Sequence, residues 1–535
     1  MSDFGTLNWS IVIMYLVANL VLGFVLSKKV KSAKDFYVGN KTTPWWAIGI
    51  SVLATYVSAM TFLGAPAWSY KLGLSVIAIH LNYPLVIILV MSLFVPFFMQ
   101  LNVISIYEYQ EKRFGKASRT VISIIFLITQ LLSSAAVLYG SALVIGYITG
   151  IDVIASIIIV SLITLIYTSM GGITAVIWTD VLQSGIFLAG GFVVLFVLLD
   201  QLPDSLLDTL SILKEKGKVN PIDTNTDLSV DTTIWAGVIA MTVYHVTVYG
   251  ANQMMMQRTL GAKNMGDAKK SLALMGFGAF FIYFLFIFIG ILFYQYYNGR
   301  VFDNDNTIML EFAEKEGFPG FIGIIAAAVL SASMSSLSSA LNSLATISTN
   351  GFYQKYLKSN ETPQHYLKVA RVSTVFWAII IIIPAIMFTS STGSILELLT
   401  KIGSYFVGAK LSMYMLGFYS KQTTEKGLLI GVTAGFITLY FIHHYTNIAW
   451  TWYAVVGAVV NIVVSILASL IVDGKQKEWS PYSIPGQKAL FKAGQKPEKE
   501  NGWYVVPGKL DKVSYYLLGF FVVTIVFLLT FQYVI

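Results

Sequence analysis

The chain has no cysteine and little charge. Without cysteine it can form no disulfide, no thiolate nucleophile and no cysteine metal centre. Asp, Glu, Lys and Arg make up 12% of its 535 residues, about half the share found in a soluble domain. Histidine is scarce, with five copies. No H-E-x-x-H or G-x-S-x-G run appears, so the context for a metallohydrolase or a serine nucleophile is missing. The first apolar span lacks the short core and A-x-A site of a removable signal peptide. No loop is long enough to hold a soluble catalytic or signalling domain.

What is present is apolar sequence, 56% of the chain. Windows of bilayer-spanning length recur, about fourteen in all. They fall at 8–27, 45–70, 74–99, 119–148, 152–170, 179–200, 232–257, 268–295, 317–350, 368–390, 395–418, 425–446, 448–472 and 512–534. The net charge of +8 is spread over alternate loops and forms no nucleic-acid patch. Lys28, Lys29, Lys31, Lys34 and Lys41 share one side with Lys112, Arg113, Lys116 and Arg119, with Arg258, Lys263, Lys269 and Lys270, and with the basic segment 473–511. By the positive-inside rule that side is cytoplasmic, which places both termini outside. Segments 201–231 and 296–316 are then outer loops. The expectation is an all-α polytopic protein of the cell (inner) membrane, residues 1–535 forming one domain. Its expected surroundings are membrane lipid, with no nucleic acid and no obligatory protein partner.

Residues 331–349, SASMSSLSSALNSLATIST, hold eight serines and two threonines at membrane depth. Hydroxyls and freed carbonyls are the hard oxygen ligands that suit a small bare cation. Close helix packing is the competing reading, since small residues let backbones approach. Two spans carry interruptions: 45–70 at Gly64 and Pro66, and 232–257 at Gly250. Each opens a group of five spans, 45–200 and 232–418. That arrangement points to inverted repeats around a midplane site. The flanking helices are 8–27, 425–472 and 512–534.

The run YTSMGGITAVIWTD (167–180) resembles the double-glycine and W-T-D signature of the sodium/solute symporter family. SIYEYQEKRF (105–114), NQMMMQRTLGAKN (252–264) and SSLSSALNSLATIST (335–349) are similar to that family's motifs in the same order. The resemblance covers about residues 8 to 534 and is nearest to the branch holding bacterial sodium/galactose and sodium/sialic acid symporters. It implies a LeuT-like five-plus-five inverted-repeat core and sodium-driven alternating access. It implies a first sodium site at Ala54, Val57, Ala332, Ser335 and Ser336. Ala332, Ser335 and Ser336 share one helical face, as such a site requires. It implies a second site at Ser338, Ser339 and Asp180, with Ser335 shared, and so two coupling sodium ions.

The resemblance places solute contacts at Thr61, His80, Tyr83, His245 and Thr400, but the residue identities differ from those that bind galactose. The position of the arginine that clamps sialic acid is Ser133. A neutral sugar or polyol is therefore the expected solute, held by His80, Tyr83 and His245, with Tyr249 able to stack on its apolar face. A small organic anion is the alternative, with Lys401 as its cation unless Lys401 pairs with Glu397 one turn earlier. Lys410 is expected to snorkel toward the inner surface.

Overall fold

The computed structural model describes residues 4–534 other than 29, 31, 40, 102, 390–394, 477 and 495–496. The helices run in chain order as α1 (Thr6–Ser27), α2 (Ala33–Val38), α3 (Trp45–Tyr56), α4 (Ala59–Leu72), α5 (Tyr83–Leu89), α6 (Val95–Leu101) and α7 (Tyr107–Arg113). There follow α8 (Lys116–Thr149), α9 (Val153–Asp200), α10 (Leu206–Glu215), α11 (Met241–Gly250), α12 (Gln253–Leu260), α13 (Met265–Tyr296) and α14 (Ile308–Glu316). The chain continues with α15 (Phe321–Thr346), α16 (Pro363–Phe388), α17 (Ile395–Tyr419), α18 (Glu425–Tyr445), α19 (Tyr453–Val472), α20 (Ile484–Ala493) and α21 (Lys512–Val534). Among the described residues, 10 helices or helical runs are long and apolar enough to cross a bilayer. Every window read from the sequence contains helix. The outer loops contribute the short helices α10 and α14.

The two interrupted spans are real, but one break lies elsewhere than expected. The first span breaks at Val57 and Ser58, both extended, and α4 runs on through Gly64 and Pro66. A capping box makes the break. The Ser58 amide donates to Thr61 Oγ1, the Met60 amide to Ser58 Oγ and the Thr61 amide to the Ser58 carbonyl. Those amides would otherwise serve the carbonyls of Ala54, Tyr56 and Val57 in a continuous helix. Pro66 is a packing point instead: a Cβ on Gly290 of α13 would lie 2.7 Å from its Cα. The second break falls at Ala251 and Asn252, directly after Gly250, and Asn252 caps α12 through the Met254 amide at 2.9 Å.

The double glycine has a mechanical reason. Within α9, Gly172 takes φ 55° and ψ −155°, which divides the helix into two spans. A Cβ there would meet the Phe36 backbone of α2 at 2.8 Å, so both the dihedral and the space demand glycine. α15 is the most enclosed span and packs on α9, α8, α1 and α3. Many of its hydroxyls bond their own helix: Ser331 to Ala327, Ser343 to Ser339 and Thr346 to Asn342. The serine-rich composition is thus partly close packing, as its competing reading held.

The basic segment after α19 is structured. α20 packs on α17, and a hairpin pairing Lys499–Glu500 with Trp503–Tyr504 leads back to the bundle. There Lys269 of α13, read above as a loop charge, is buried against Asp511 and donates to the Tyr504 carbonyl at 2.7 Å.

Candidate functional site

The first break sets the site. A cavity of ≈ 220 Å³ opens beside it, lined by Ala54 and Val57 from α3 and its cap, by Gln183, Ser184 and Phe187 from α9, and by Ser331, Ala332 and Ser335 from α15. Four of the five residues expected for a first sodium therefore share one cavity wall. Ser336, the fifth, reaches across to α3 and donates to the Thr55 carbonyl at 3.2 Å. The carbonyls of Ala54 and Val57 are without their helical donors at this point. Neutral oxygens of that kind suit a singly charged hard cation better than magnesium, which favours carboxylates and retains its waters.

Ser335 faces both ways. It lines the cavity, and its hydroxyl donates to Asp180 Oδ1 at 2.6 Å. Asp180 is fully buried, and its Oδ2 accepts from Ser51 Oγ at 2.5 Å. The structure adds a residue that sequence reasoning had assigned to a loop: Arg258, on α12, is also fully buried. Its guanidinium lies 3.3 Å from Asp180 Oδ2, donates through Nε to Ser51 Oγ at 2.7 Å, and donates to the Ser339 hydroxyl. Thr55 Oγ1 stands 3.2 Å from Ser339 Oγ. Ser338 donates to the Ser335 carbonyl of its own helix at 3.0 Å. The expected second-ion set of Asp180, Ser338 and Ser339 is thus adjacent to the first but already holds a positive group. The W-T-D aspartate was legible. Its arginine was not, because α12 is short and polar and reads as a loop.

A block of rings lies between the two breaks. His245 of α11 has both ring nitrogens engaged: Nδ1 lies 2.9 Å from Asn82 Oδ1, and Nε2 lies 2.9 Å from the Tyr56 hydroxyl. The Asn82 amide donates to the Gly237 carbonyl, which orients its oxygen toward the imidazole. His245 therefore carries its proton on Nδ1 and accepts from Tyr56. His80 Nδ1 meets the Tyr83 hydroxyl at 3.0 Å, and its ring stacks on Tyr283 with centroids 3.6 Å apart. Tyr249 packs 5.6 Å from Tyr56, and its buried hydroxyl has no hydrogen-bond partner among the described residues.

Four expected solute residues, His80, Tyr83, His245 and Tyr249, thus converge. Thr61 sits at the head of α4 as part of its capping box. Ser133 is exposed on α8, apart from the ring block. The Thr400 and Lys401 side chains lie outside the described residues. Lys410 does not snorkel: it is 5% exposed within the bundle.

Comparison with known proteins shows the family and the fold. The model of the Sodium:solute symporter family matches residues 36–435. The sodium/sialic acid symporter SiaT of Proteus mirabilis (strain HI4320) is 29% identical over 482 residues, 89% of this chain and 97% of that protein. The sodium/glucose cotransporter of Vibrio parahaemolyticus is 27% identical over 76% of this chain and 78% of its own length. A solved structure of a Na+-coupled sialic acid symporter, substrate-bound and outward-open, superposes with a TM-score of 0.82 at 27% identity, covering 89% of this chain and 100% of that one.

Proposed function

We propose, from the premise that this chain belongs to the sodium:solute symporter family, that it couples sodium entry to the import of a small organic anion. Membership makes it a sodium-coupled symporter, a multi-pass membrane transporter and not an enzyme, with the five-plus-five inverted-repeat fold. The anion is the finer step. The observation that carries it is likeness to sodium/sialic acid symporters in both sequence and fold, each over 89% of this chain. This takes the anionic alternative over the neutral sugar. The sugar reading draws on the glucose cotransporter, which matches less of the chain. It is further weakened because both nitrogens of His245 already serve Tyr56 and Asn82.

On this reading the first sodium binds among Ala54, Val57, Ala332, Ser335 and Ser336, at the cavity beside the α3–α4 break. A second ion uses Asp180, Ser338 and Ser339, so two ions move per solute. The solute lies against the block of His80, Tyr83, His245 and Tyr249, with Thr61, Ser133 and Thr400 along its path. Residues 1–535 act as one membrane domain with both termini outside. The test is uptake into proteoliposomes of labelled acids and neutral sugars, with and without a sodium gradient. Sodium-driven uptake of an acid supports the reading, and sodium-driven uptake of neutral sugars alone refutes it.

A further inference from the structure

Four Lys or Arg side chains are buried among the described residues: Arg119, Arg258, Lys269 and Lys410. Three have an acid. Arg119 pairs with Glu111, Arg258 with Asp180 and Lys269 with Asp511. Lys410 has none among the described residues. Its ammonium donates to Thr129 Oγ1 of α8 at 3.0 Å and lies 5.9 Å from the centre of the Phe126 ring. Thr129 also bonds its own helix, at the Ile125 carbonyl 2.8 Å away, so it is a neutral and already engaged partner.

A membrane-buried cation without a counter-ion is a costly arrangement, and it marks a functional position more often than a structural one. A hydroxyl and a ring face compensate only part of the lost hydration. An ammonium has three donors, and Thr129 takes one. The place is informative as well. One turn outward on α17, the Val407 carbonyl lies 3.4 Å from Thr247 Oγ1 of α11, close to the second break. One turn inward, the Tyr414 hydroxyl bonds the Ile106 carbonyl. Lys410 thus stands at the seam of α8 and α17, between the ring block and the inner loops.

We propose that Lys410 is the anion anchor of this transporter: its ammonium receives the carboxylate of the transported solute on the inward side of the ring block. This rests on the anionic reading above and gives it a residue. A lysine suits the task because a point charge on a flexible stem can follow a carboxylate as the bundle changes conformation. In the absence of solute, Thr129 and Phe126 are the charge's partners among the described residues.

The experiment uses the full chain in proteoliposomes under a fixed inward sodium gradient. N-acetylneuraminate, glucuronate and lactate are each compared with their uncharged methyl esters. The unmodified protein should prefer at least one acid over its ester. Lys410→Met should weaken apparent affinity for that acid by about 10- to 100-fold, the loss of one charge-assisted bond, and leave the ester unchanged. Lys410→Arg should keep part of the preference. Thermal stability of Lys410→Met without solute should hold or rise, because an uncompensated buried charge is gone. Acid uptake by Lys410→Met equal to that of the unmodified protein would overturn the assignment, and so would a Lys410→Met variant that no longer folds. Failure of the anionic reading looks different: the unmodified protein would then take up none of the three acids.

Discussion

Arg258 and Asp180 form an ion pair of 3.3 Å in which neither side chain reaches solvent. The pair joins α12, beyond the second break, to the middle of α9. Ser51 of α3 bonds both partners and Ser335 of α15 bonds the acid. Four helices of the bundle therefore meet at one charge-balanced point beside the proposed ion cavity. A sodium ion at Asp180 must share the carboxylate with the guanidinium or displace it.

Removing one partner leaves a buried charge uncompensated. Asp180→Asn should lower stability by about 3–5 kcal/mol, whereas Asp180→Asn combined with Arg258→Met should lose much less than the sum of the single changes. Thermal unfolding in detergent, run as a double-mutant cycle, measures the coupling. Additive losses would show that the pair is not energetically linked.

The hydroxyls of α15 should separate by what they touch. Ser336→Ala loses a bond to the Thr55 carbonyl. Ser335→Ala loses a bond to Asp180 and an oxygen of the cavity wall. Both should raise the sodium concentration for half-maximal uptake, Ser336→Ala by roughly fivefold for about 1 kcal/mol and Ser335→Ala by more. Ser343→Ala removes only a bond within its own helix and should leave sodium dependence unchanged. Sodium titration of uptake decides.

Much of this site was legible in the sequence, and the rest failed for identifiable reasons. The W-T-D acid and Ser335 of the serine-rich span meet in the structure, and the second break falls directly after Gly250. The first break was misplaced because Gly64 and Pro66 look like interruptions, whereas the actual break has neither residue type. Its signal was the Ser58-x-x-Thr61 cap, which is easily passed over inside an apolar run. Arg258 and Lys269 read as loop charges because their acids, Asp180 and Asp511, are remote in sequence. Lys410 read as a snorkelling residue because burial among other helices leaves no trace in hydropathy. The resemblance grouped His80, Tyr83, His245 and Tyr249, but the places of Tyr56 and Tyr283 among them needed tertiary structure, since they come from other elements.

The two midplane histidines should behave differently. His245→Ala strands Tyr56 and Asn82, so it should cost about 1–3 kcal/mol of stability for each group left without a partner. His80 engages Nδ1 with Tyr83 and stacks on Tyr283, and its Nε2 remains unbonded among the described residues. His80→Ala should therefore affect solute affinity more than unfolding temperature. Paired measurements of solute binding and thermal unfolding on both variants check this. Equal stability losses would contradict it.

Gly172→Ala tests the hinge of α9. Its φ of 55° and the 2.8 Å approach of Phe36 leave no room for a methyl group. The substitution should destabilise by about 1–3 kcal/mol from backbone strain alone, with steric displacement of α2 added. Gly185 lies further along the same helix, and a Cβ added there would meet nothing within 4 Å, so Gly185→Ala should be tolerated. Comparative yield and unfolding temperature of the two variants provide the measurement.

Sodium coupling is the step on which solute import depends. The decisive measurement is solute uptake by the purified chain in proteoliposomes, with an imposed sodium gradient and no pH gradient, and then the reverse. Concentrative uptake is expected under the sodium gradient alone, rising with sodium at a Hill coefficient approaching two for the two proposed ions and collapsing when a sodium ionophore is added. Undiminished uptake in sodium-free buffer driven only by a pH gradient would contradict it.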